Sequence, residues 1–346
     1  MKTLKDVSVA DKRVLVRCDF NVPVDDDGKI LDDFRIKQAL PTINYLIQNK
    51  AKIVLMSHLD PESTGLADKK YTLDKVAECL AGYLNFSIEK EDNCIGPDAE
   101  TESNKLESGK ILLLENLRFY KQETDNNLDF AKKLSYLGDI YVNEAFSVCH
   151  RNNASIVGVP QFLPSCAGLL LGKEIENLGK ALNNPIKPMV AIIGGKKVET
   201  KSKFIDKISE VADFVIVSGL IAKEVEEKGI KFLHPEKIIF PTGQLDALDI
   251  NEESIKMFSE KIMQAKTILW NGPFGKFEDK EYAKGTLTIA NSIIESKAYS
   301  VVGGGETVEF LQKQGMIDKF SHVSTGGGAM MAYLSGEELP GLKALE

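Results

Sequence analysis

Runs of apolar residues that are followed by glycine and then by a helical pattern recur along the second half of the chain. Four segments show the whole unit: MVAIIGGKKVETKSKF, DFVIVSGLIAKEVEEKG, YSVVGGGETVEFLQKQG and FSHVSTGGGAMMAYL. A fifth segment, TILWNGPFGKFE, has the apolar run and the glycine loop. Continuous β-branched runs are typical of parallel strands buried on both faces, and their alternation with helices predicts a doubly wound sheet.

The first half has the same rhythm, but polar side chains stand where the second half has glycine. Its apolar runs are RVLVRCDFNVP, AKIVLMSHLD, KILLLENLRFY and GDIYVNEAFSVCHR. They end in side chains that can bind or orient an anion, namely Asp19, Asn21, His58, Arg118, His150 and Arg151. Ligands of doubly wound sheets bind at the carboxyl ends of the strands, so we expect this polar set to line a binding site.

Two helical segments bear on the organisation of the chain. IKQALPTINYLIQ predicts a helix directly after Arg35, and Pro41 is expected to shorten or kink it. Asp32 or Asp33 can cap its N-terminus. Residues 167–188 predict a helix and a proline-rich turn that join the two halves.

Triple glycines before a helix predict a place where an anion approaches the backbone. Gly326, Gly327 and Gly328 precede one helical segment, and residues 303–305 precede another. Amides at a helix N-terminus bind phosphate, and glycine lets it come close; a tight strand-to-helix turn is the alternative. Lys197 and Lys201 are four residues apart and share one helix face, which suits a polyphosphate or, alternatively, a solvated lysine face.

Composition and charge narrow the functional classes. The chain has 346 residues, 43% hydrophobic and 27% charged, with a net charge of −8, which argues against a general binder of nucleic acid or membrane surfaces. No apolar run of membrane-spanning length occurs, and MKTLKDVSVADKR lacks the apolar core of a signal peptide. Five scattered cysteines without a CxxC pair indicate reduced thiols, so we expect a cytoplasmic protein.

The few arginines are concentrated in one half. All five lie in the first 151 residues, at positions 13, 17, 35, 118 and 151. A chain that otherwise uses lysine can keep arginine where a planar fork grips an anion at two points. Two nucleotide signatures, GxxxxGK[ST] and GxGxxG, are missing from the sequence, which argues against a P-loop enzyme and against a nicotinamide-dependent dehydrogenase.

In order along nearly the whole chain, these motifs resemble the phosphoglycerate kinase family. The matching stretches are RVLVRCDFNVPV, DDFRI, SHL, LLLENLRFYKQE, VNEAFSVCHRNNAS, GGKKVETK, WNGPFGKFE, AKGT, VVGGGETV, HVSTGGGA and LPGLKAL. The resemblance implies an α/β fold with two Rossmann-like, doubly wound parallel-sheet domains that face each other across a hinged cleft. The implied divisions are an N-terminal phosphoglycerate-binding domain (1–166), an interdomain helix and hinge (167–188), a C-terminal nucleotide-binding domain (189–330) and a tail that returns to the first domain (331–346).

The activity implied by the resemblance is reversible phosphoryl transfer in glycolysis, between 1,3-bisphosphoglycerate with ADP and 3-phosphoglycerate with ATP. The positions that would bind phosphoglycerate are Asp19, Phe20, Asn21, Arg35, His58, Arg118 and Arg151. Those that would bind the adenine nucleotide are Gly195, Lys201, Asn271, Glu278, Gly304, Gly305, Glu306 and Thr307, with Glu306 as the residue associated with Mg²⁺. Those that would stabilise the transferring group are Arg35, Lys197, Gly326, Gly327 and Gly328. The small molecules are the only partners expected, and we expect a monomer.

This chemistry agrees with the inventory of residues. The acceptor is a carboxylate that is already ionised at neutral pH, so no general base is required. A binding or structural role is therefore expected for His58 and His150. Asp19 suits two roles, an orienting hydrogen-bond acceptor or a turn former beside Pro23.

The chain departs from the family pattern at several places. SHLDPEST stands where the family has SHLGRP, so Asp60 and Pro61 replace a glycine and an arginine that would hold the substrate. Ser218, Gly219 and Leu220 replace a triple glycine, Glu306 replaces an aspartate, Lys196 replaces an alanine, and the chain is shortened between about 230 and 260. The alternative function is a degenerate relative that binds nucleotide or phosphoglycerate with little turnover.

Overall fold

Two sheets of parallel strands, each flanked by helices, organise the chain. The structure is a computed structural model, and it describes residues 1–59, 67–195 and 198–346. Two units separate by their internal contacts, the first comprising Met1–Glu174 with Glu338–Glu346 and the second Ile175–Glu337. The alternation of strands and helices that the sequence predicted is confirmed in both units.

Among the described residues, the first unit holds a six-stranded parallel sheet in the order β3-β4-β2-β1-β5-β6. Its strands are β1 (Arg13–Arg17), β2 (Lys52–Met56), β3 (Glu89–Lys90), β4 (Ile111–Leu113), β5 (Ile140–Asn143) and β6 (Ser165–Ala167). Its helices are α1 (Phe34–Gln48), α2 (Asp74–Leu84), α3 (Pro97–Lys105), α4 (Lys121–Thr124) and α5 (Leu128–Ser135). The sixth helix, α6 (Leu169–Asn183), starts in the first unit and ends in the second.

In the described part of the second unit, a further six-stranded parallel sheet has the order β12-β11-β10-β7-β8-β9. Its strands are β7 (Met189–Ile193), β8 (Phe214–Val217), β9 (Ile238–Ile239), β10 (Thr267–Asn271), β11 (Tyr299–Gly303) and β12 (His322–Val323). Its helices are α7 (Val198–Val211), α8 (Gly219–Lys228), α9 (Glu252–Gln264), α10 (Lys284–Ser296), α11 (Gly305–Lys313) and α12 (Gly327–Leu334). The last helix, α13 (Pro340–Lys343), belongs to the first unit.

Short helical turns connect these elements. The 3₁₀ turns are Leu4–Asp6, Lys69–Tyr71, Leu117–Phe119, Phe146–Val148, Val159–Gln161, Pro235–Lys237, Lys280–Tyr282 and Ile317–Lys319, and Ala154–Gly158 is a π-helical turn.

The core of each unit explains why these strands form. Every residue of β7 and of β10 is buried, as are the last four residues of β1, in agreement with the continuous apolar runs of the sequence. The pairing of β1 with both β2 and β5 places the end of β1 in the middle of the first sheet. Three carboxyl ends therefore meet at one edge of the sheet, where the polar residues follow.

Helix α1 decides one of the two effects expected of Pro41. Pro41 lies inside the helix, which continues to Gln48, so the proline does not shorten it. Ile36 and Ala39 before the proline, and Ile43 and Leu46 after it, are all buried in the same core. This packing holds both halves of the helix although Pro41 contributes no backbone N–H.

Asp32, one of the two residues expected to cap α1, holds the start of this helix. Oδ1 of Asp32 accepts a hydrogen bond from the backbone N–H of Phe34 at 2.8 Å. Asp33 is the N-cap residue, but its carboxylate pairs with Lys37 at 2.8 Å and caps no amide. The helix therefore begins one residue before Arg35, which places this side chain in the first turn.

Candidate functional site

Asp19 is the centre of the polar cluster at the carboxyl edge of the first sheet. Its buried carboxylate accepts hydrogen bonds from the Ser147 hydroxyl and, at 2.9 Å, from the backbone N–H of Asn21. Nη1 of Arg35 lies 2.9 Å from its Oδ2. Burial disfavours the charge, but Arg35 and the other donors outweigh it and lower the pKa of Asp19 to about 2. Asp19 is therefore ionised at neutral pH and orients Arg35.

Arg35 presents the exposed part of this cluster. Its Nη1 donates to the backbone oxygen of Asn21 at 3.0 Å as well as to Asp19, and 32% of its side chain is exposed. The two contacts fix the plane of the guanidinium through one nitrogen. The other edge, with Nε and Nη2, is left for an anion.

His58 lies on the other side of Asp19 and is buried. Its Nδ1 is 3.9 Å from Oδ1 of Asp19 and 3.2 Å from Nη2 of Arg17. Burial, and then the charges of Arg17, Arg118 and Arg35, lower the pKa of His58 well below its usual range, against the opposing effect of Asp19. The imidazole is therefore neutral at pH 7, and the three guanidiniums lie within electrostatic range of it.

Arg17, the last residue of β1, is a site residue that the sequence reasoning did not single out. Only 1% of its surface is exposed. Its Nε donates to the hydroxyl of Ser155 at 2.7 Å, and Nη2 is 4.0 Å from the carboxylate of Glu123. Glu123 in turn accepts 2.6 Å and 2.9 Å hydrogen bonds from Ser155. An arginine at the end of the buried apolar run of β1 was the signal that could have indicated this support.

The remaining predicted residues of the first unit are held by local contacts of their own. The ring of Phe20 is buried, and its backbone N–H donates to the Ser57 hydroxyl at 2.8 Å. The buried Arg118 is placed by Asn116, whose Oδ1 accepts the backbone N–H of Arg118 at 3.0 Å. Arg151 is half-buried in the turn after β5, where its backbone N–H donates to Val148 at 2.9 Å.

In the second unit, the glycines after β7 serve backbone packing. The N–H of Gly194 donates to the oxygen of Asn271 at 2.9 Å, and that of Gly195 donates to Pro273 at 2.7 Å. A Cβ on Gly194 would overlap the oxygens of Gly272 and Pro273. Gly195 has a φ of +79°, which also favours glycine. This pair therefore joins the ends of β7 and β10 tightly, a role that the sequence did not indicate.

Lys201 is a buried cation at this junction. It lies on α7, and its ammonium donates to the backbone oxygen of Gly194. Burial lowers the pKa of Lys201 to about 8, against the raising effect of the Glu306 charge. A phosphate bound here would favour the charged form of this lysine.

The loop between β11 and α11 is open toward a ligand. Gly304 has a φ of +98°, Gly305 and Glu306 are exposed, and the hydroxyl of Thr307 accepts the N–H of Gly272 at 2.9 Å. The side chain of Asn271 lies against Gly304 and is buried, yet its Nδ2 has no hydrogen-bond partner in the part of the chain that the structure describes. A buried amide donor at the rim of this loop is suited to an acceptor on a ligand.

The triple glycine before α12 lies beside that loop. A Cβ on Gly327 would be 3.6 Å from Cα of Gly304 and 3.6 Å from N of Gly305. Gly326 is buried, whereas Gly328 is exposed in the first turn of α12. The two predicted glycine loops are thus adjacent, and their helix N-termini can act on one group of phosphates.

Of the other predicted positions, some lie within the described residues and some lie outside them. Glu278 is exposed in the turn after β10. Lys197 and the neighbouring Lys196 lie outside the described residues, as does the SHLDPEST segment from Asp60 onward. The hydroxyl of Ser218, at one departure from the family pattern, accepts the N–H of Ile221 at 3.4 Å and donates to Gly195 at 2.8 Å. Serine at this position therefore supports the Gly195 turn.

The side chains that could hold a metal ion are few at this site. Over the described residues, no group of three or more histidine, cysteine, aspartate or glutamate side chains has an arrangement that could hold one. Glu306 is one exposed carboxylate beside open backbone amides. A single carboxylate fits Mg²⁺ that takes its remaining ligands from phosphate oxygens and water. In the same described ranges, no helix is long and apolar enough to span a membrane.

Comparison with known proteins identifies the chain's relatives. A family model described as phosphoglycerate kinase matches residues 4–231 and 221–337. The chain is 41% identical to the phosphoglycerate kinase of Dictyoglomus turgidum, over 99% of this chain and 98% of the relative, and 39% identical to that of Finegoldia magna, over 100% and 99%. The crystal structure of the Pyrococcus horikoshii phosphoglycerate kinase superposes with a TM-score of 0.89 at 32% identity, covering 100% of this chain and 98% of that one. The Coxiella burnetii phosphoglycerate kinase gives a TM-score of 0.83 at 33% identity, covering 99% and 98%.

Proposed function

The chain belongs to the phosphoglycerate kinase family and is a kinase, and from this premise we propose the roles of its individual residues. The reaction is phosphoryl transfer between 1,3-bisphosphoglycerate with ADP and 3-phosphoglycerate with ATP. The comparisons give no support to the alternative of a degenerate binding module.

In the first unit, Asp19, Arg35, His58 and Arg118 form the phosphoglycerate site. The observation that carries this assignment is the Arg35 guanidinium, which Asp19 and Asn21 hold by one nitrogen while its other edge is left for an anion. The buried guanidiniums of Arg17 and Arg118 add positive electrostatic potential at this site. Phe20, Asn21 and Arg151 are the other members of the predicted substrate set.

In the second unit, the nucleotide phosphates bind between Lys201 and the two adjacent glycine loops. Lys201, Asn271 and the open amides around Gly304 supply donors, and Gly326, Gly327 and Gly328 face the transferring group. Gly195, Gly305, Thr307 and Glu278 are the other predicted nucleotide positions, and Lys197 keeps its predicted catalytic role on the sequence resemblance alone. Glu306 would hold Mg²⁺ together with the phosphates, and the ion supplies charge stabilisation of the phosphate oxygens.

The protein does this chemistry by positioning and by charge. The acceptor carboxylate needs no base, so the neutral, buried His58 is not required to act as one. We expect Arg35 and the helix N-termini to stabilise negative charge on the phosphoryl group as it passes. Water must be excluded from an acyl phosphate, so we propose that a closing motion accompanies turnover.

A coupled assay tests this function. Purified protein is mixed with ATP, 3-phosphoglycerate and Mg²⁺, and 1,3-bisphosphoglycerate is consumed by a dehydrogenase that oxidises NADH. We expect NADH oxidation that requires both substrates and the metal. Calorimetric titration of the same preparation with each substrate is the matched measurement, and binding without turnover would support the binding-module alternative.

Two further properties belong to this proposal. We propose a monomer, to be measured by light scattering on a gel-filtration column, where a dimer mass would contradict it. We also propose a cytoplasmic location, supported by five cysteines that are all free thiols.

A further inference from the structure

Glu144 is a buried carboxylate that the proposed reaction does not use. It follows β5, and only 1% of its surface is exposed. Its Oε1 accepts the Thr42 hydroxyl and, at 3.0 Å, the N–H of Leu170, while Oε2 accepts the N–H of Leu171 at 3.3 Å. The hydroxyl of Thr42 itself accepts the N–H of Leu169 at 3.0 Å. One carboxylate and one hydroxyl thus satisfy three amides of the first turn of α6, groups that would otherwise lack partners.

The surrounding backbone allows and fixes the close approach of Glu144 to the start of α6. A Cβ on Gly168 would overlap the carboxylate of Glu144, so only glycine allows this approach. The backbone N–H of Glu144 donates to Arg17 at 2.9 Å, and that of Gly168 donates to Asn143 at 2.8 Å. The carboxylate therefore lies at a fixed position between the sheet and the start of α6.

The two helices that meet at Glu144 both matter for the proposed function. Thr42 lies on α1, whose first turn carries Arg35. Helix α6 begins beside Glu144 and continues from the first unit into the second. We propose that Glu144 is a positioning residue for phosphoryl transfer, whose ionised carboxylate ties the first turn of α6 to α1 and thereby to the element that places Arg35. This inference rests on the proposed kinase function.

The charge of Glu144 is balanced by dipoles. No lysine or arginine is paired with it among the described residues, and the helix N-terminus supplies the positive potential. Burial, together with the Glu174 charge on α6, raises the pKa of Glu144 to about 7 against the lowering effect of Thr42 and the two amides. The remaining titratable neighbours, Cys18 after β1 and Cys166 on β6, are neutral at pH 7 because burial raises the pKa of both thiols.

Ionisation changes what this carboxyl can do. The carboxylate accepts all three hydrogen bonds, whereas the protonated acid presents an O–H to neighbours that are themselves donors. The hydrogen bonds between Glu144 and the first turn of α6 are therefore all made above neutral pH and are weakened below it. Glu144→Gln resembles the protonated form at every pH.

The experiment compares kcat of the unaltered enzyme with kcat of Glu144→Gln from pH 5.5 to 8.5. Other groups titrate equally in both proteins, so they cancel in the ratio. We expect a ratio near 1 at the acidic end that rises around pH 7 to roughly 3- to 30-fold, the factor that loss of an N-terminal cap corresponds to. KM for both substrates should change little. A ratio that is flat with pH, or an effect confined to KM, would overturn the inference.

Three further variants separate positioning from simple structural support. Glu115 is also buried and accepts backbone amides at 2.9 Å and 2.7 Å, but it is paired with Lys90 at 2.8 Å, so Glu115→Gln is the control for loss of a buried carboxylate outside α6 and should leave the ratio flat with pH. Thr42→Val should lower kcat, while Thr42→Ser keeps the hydroxyl and should restore it. Hydrogen exchange at Leu170 and Leu171 should be faster in Glu144→Gln at pH 8 and equal to that of the unaltered protein near pH 5.5. Unchanged exchange at pH 8 would overturn the capping role even if the protein showed no kinase activity.

Discussion

Replacing Arg35 by lysine tests whether the fork of the guanidinium, and not its charge, carries catalysis. Nη1 of Arg35 makes both of its contacts, to Asp19 at 2.9 Å and to Asn21 at 3.0 Å. Its Nε–H and the two N–H groups of Nη2 have no partner in the described ranges of the chain. Arginine therefore offers three donors to a bound anion. A lysine has three donors in total, and two of them would be needed to keep the contacts with Asp19 and Asn21.

The expected loss of kcat follows from this difference in the number of donors. Lysine leaves one donor for the phosphoryl group instead of three, so at least one charge-assisted hydrogen bond is lost. Removal of one donor that acts on developing charge typically lowers kcat by ~10²–10³. The contact is strongest in the transition state, so we expect Arg35→Lys to lower kcat by this factor while KM for 3-phosphoglycerate rises much less.

The assay is steady-state turnover with each substrate varied in turn, together with a thermal unfolding curve of the same sample. Arg13→Lys is the matched control, because Arg13 makes a 2.8 Å ion pair with Asp139 in the same unit but belongs to no predicted site. It should keep a normal kcat. A kcat of Arg35→Lys within about threefold of the unaltered enzyme, with normal folding, would refute the role of the fork.

Three other predictions concern stability and substrate affinity. The pKa of Asp19 is lowered from 3.8 to about 2, so its ionised carboxylate contributes about 2 kcal/mol to the free energy of unfolding above pH 4, and progressively less as the pH falls toward 2. In denaturant titrations, Asp19→Asn should therefore lower the free energy of unfolding by that amount at pH 7 and by nearly nothing at pH 2. Gly194→Ala should destabilise the second unit by about 1–3 kcal/mol through backbone overlap, whereas Gly82→Ala, which meets nothing within 4 Å, should be neutral or stabilising in the same measurement. The double change Asp60→Gly with Pro61→Arg, at residues outside the described ranges, should lower KM for 3-phosphoglycerate at least several-fold and leave KM for ATP unchanged; an unchanged KM for both would mean that another cation already binds the substrate.

The sequence by itself determined the strands and the loops that carry the chemistry. Apolar runs and the glycines that follow them are local patterns, and they predicted β7, β8, β10, β11 and β12 as well as the two loops that lie together at Gly304 and Gly327. It also indicated which polar residues follow the strands of the first sheet, because a residue directly after a parallel strand lies at the ligand-binding edge. The individual roles of these residues remain predictions.

Only the tertiary structure decided which distant residues meet. Strand order places β1 between β2 and β5, so Asp19 meets Ser147 across 128 positions and Arg17 meets Ser155 across 138. No local period encodes such contacts, because they depend on which strands become neighbours. For the same reason the sequence did not show that Gly194 packs against backbone, that Pro41 leaves the length of α1 unchanged, or that Glu144 caps α6. In each case the outcome depends on a contact between residues that are distant in the sequence.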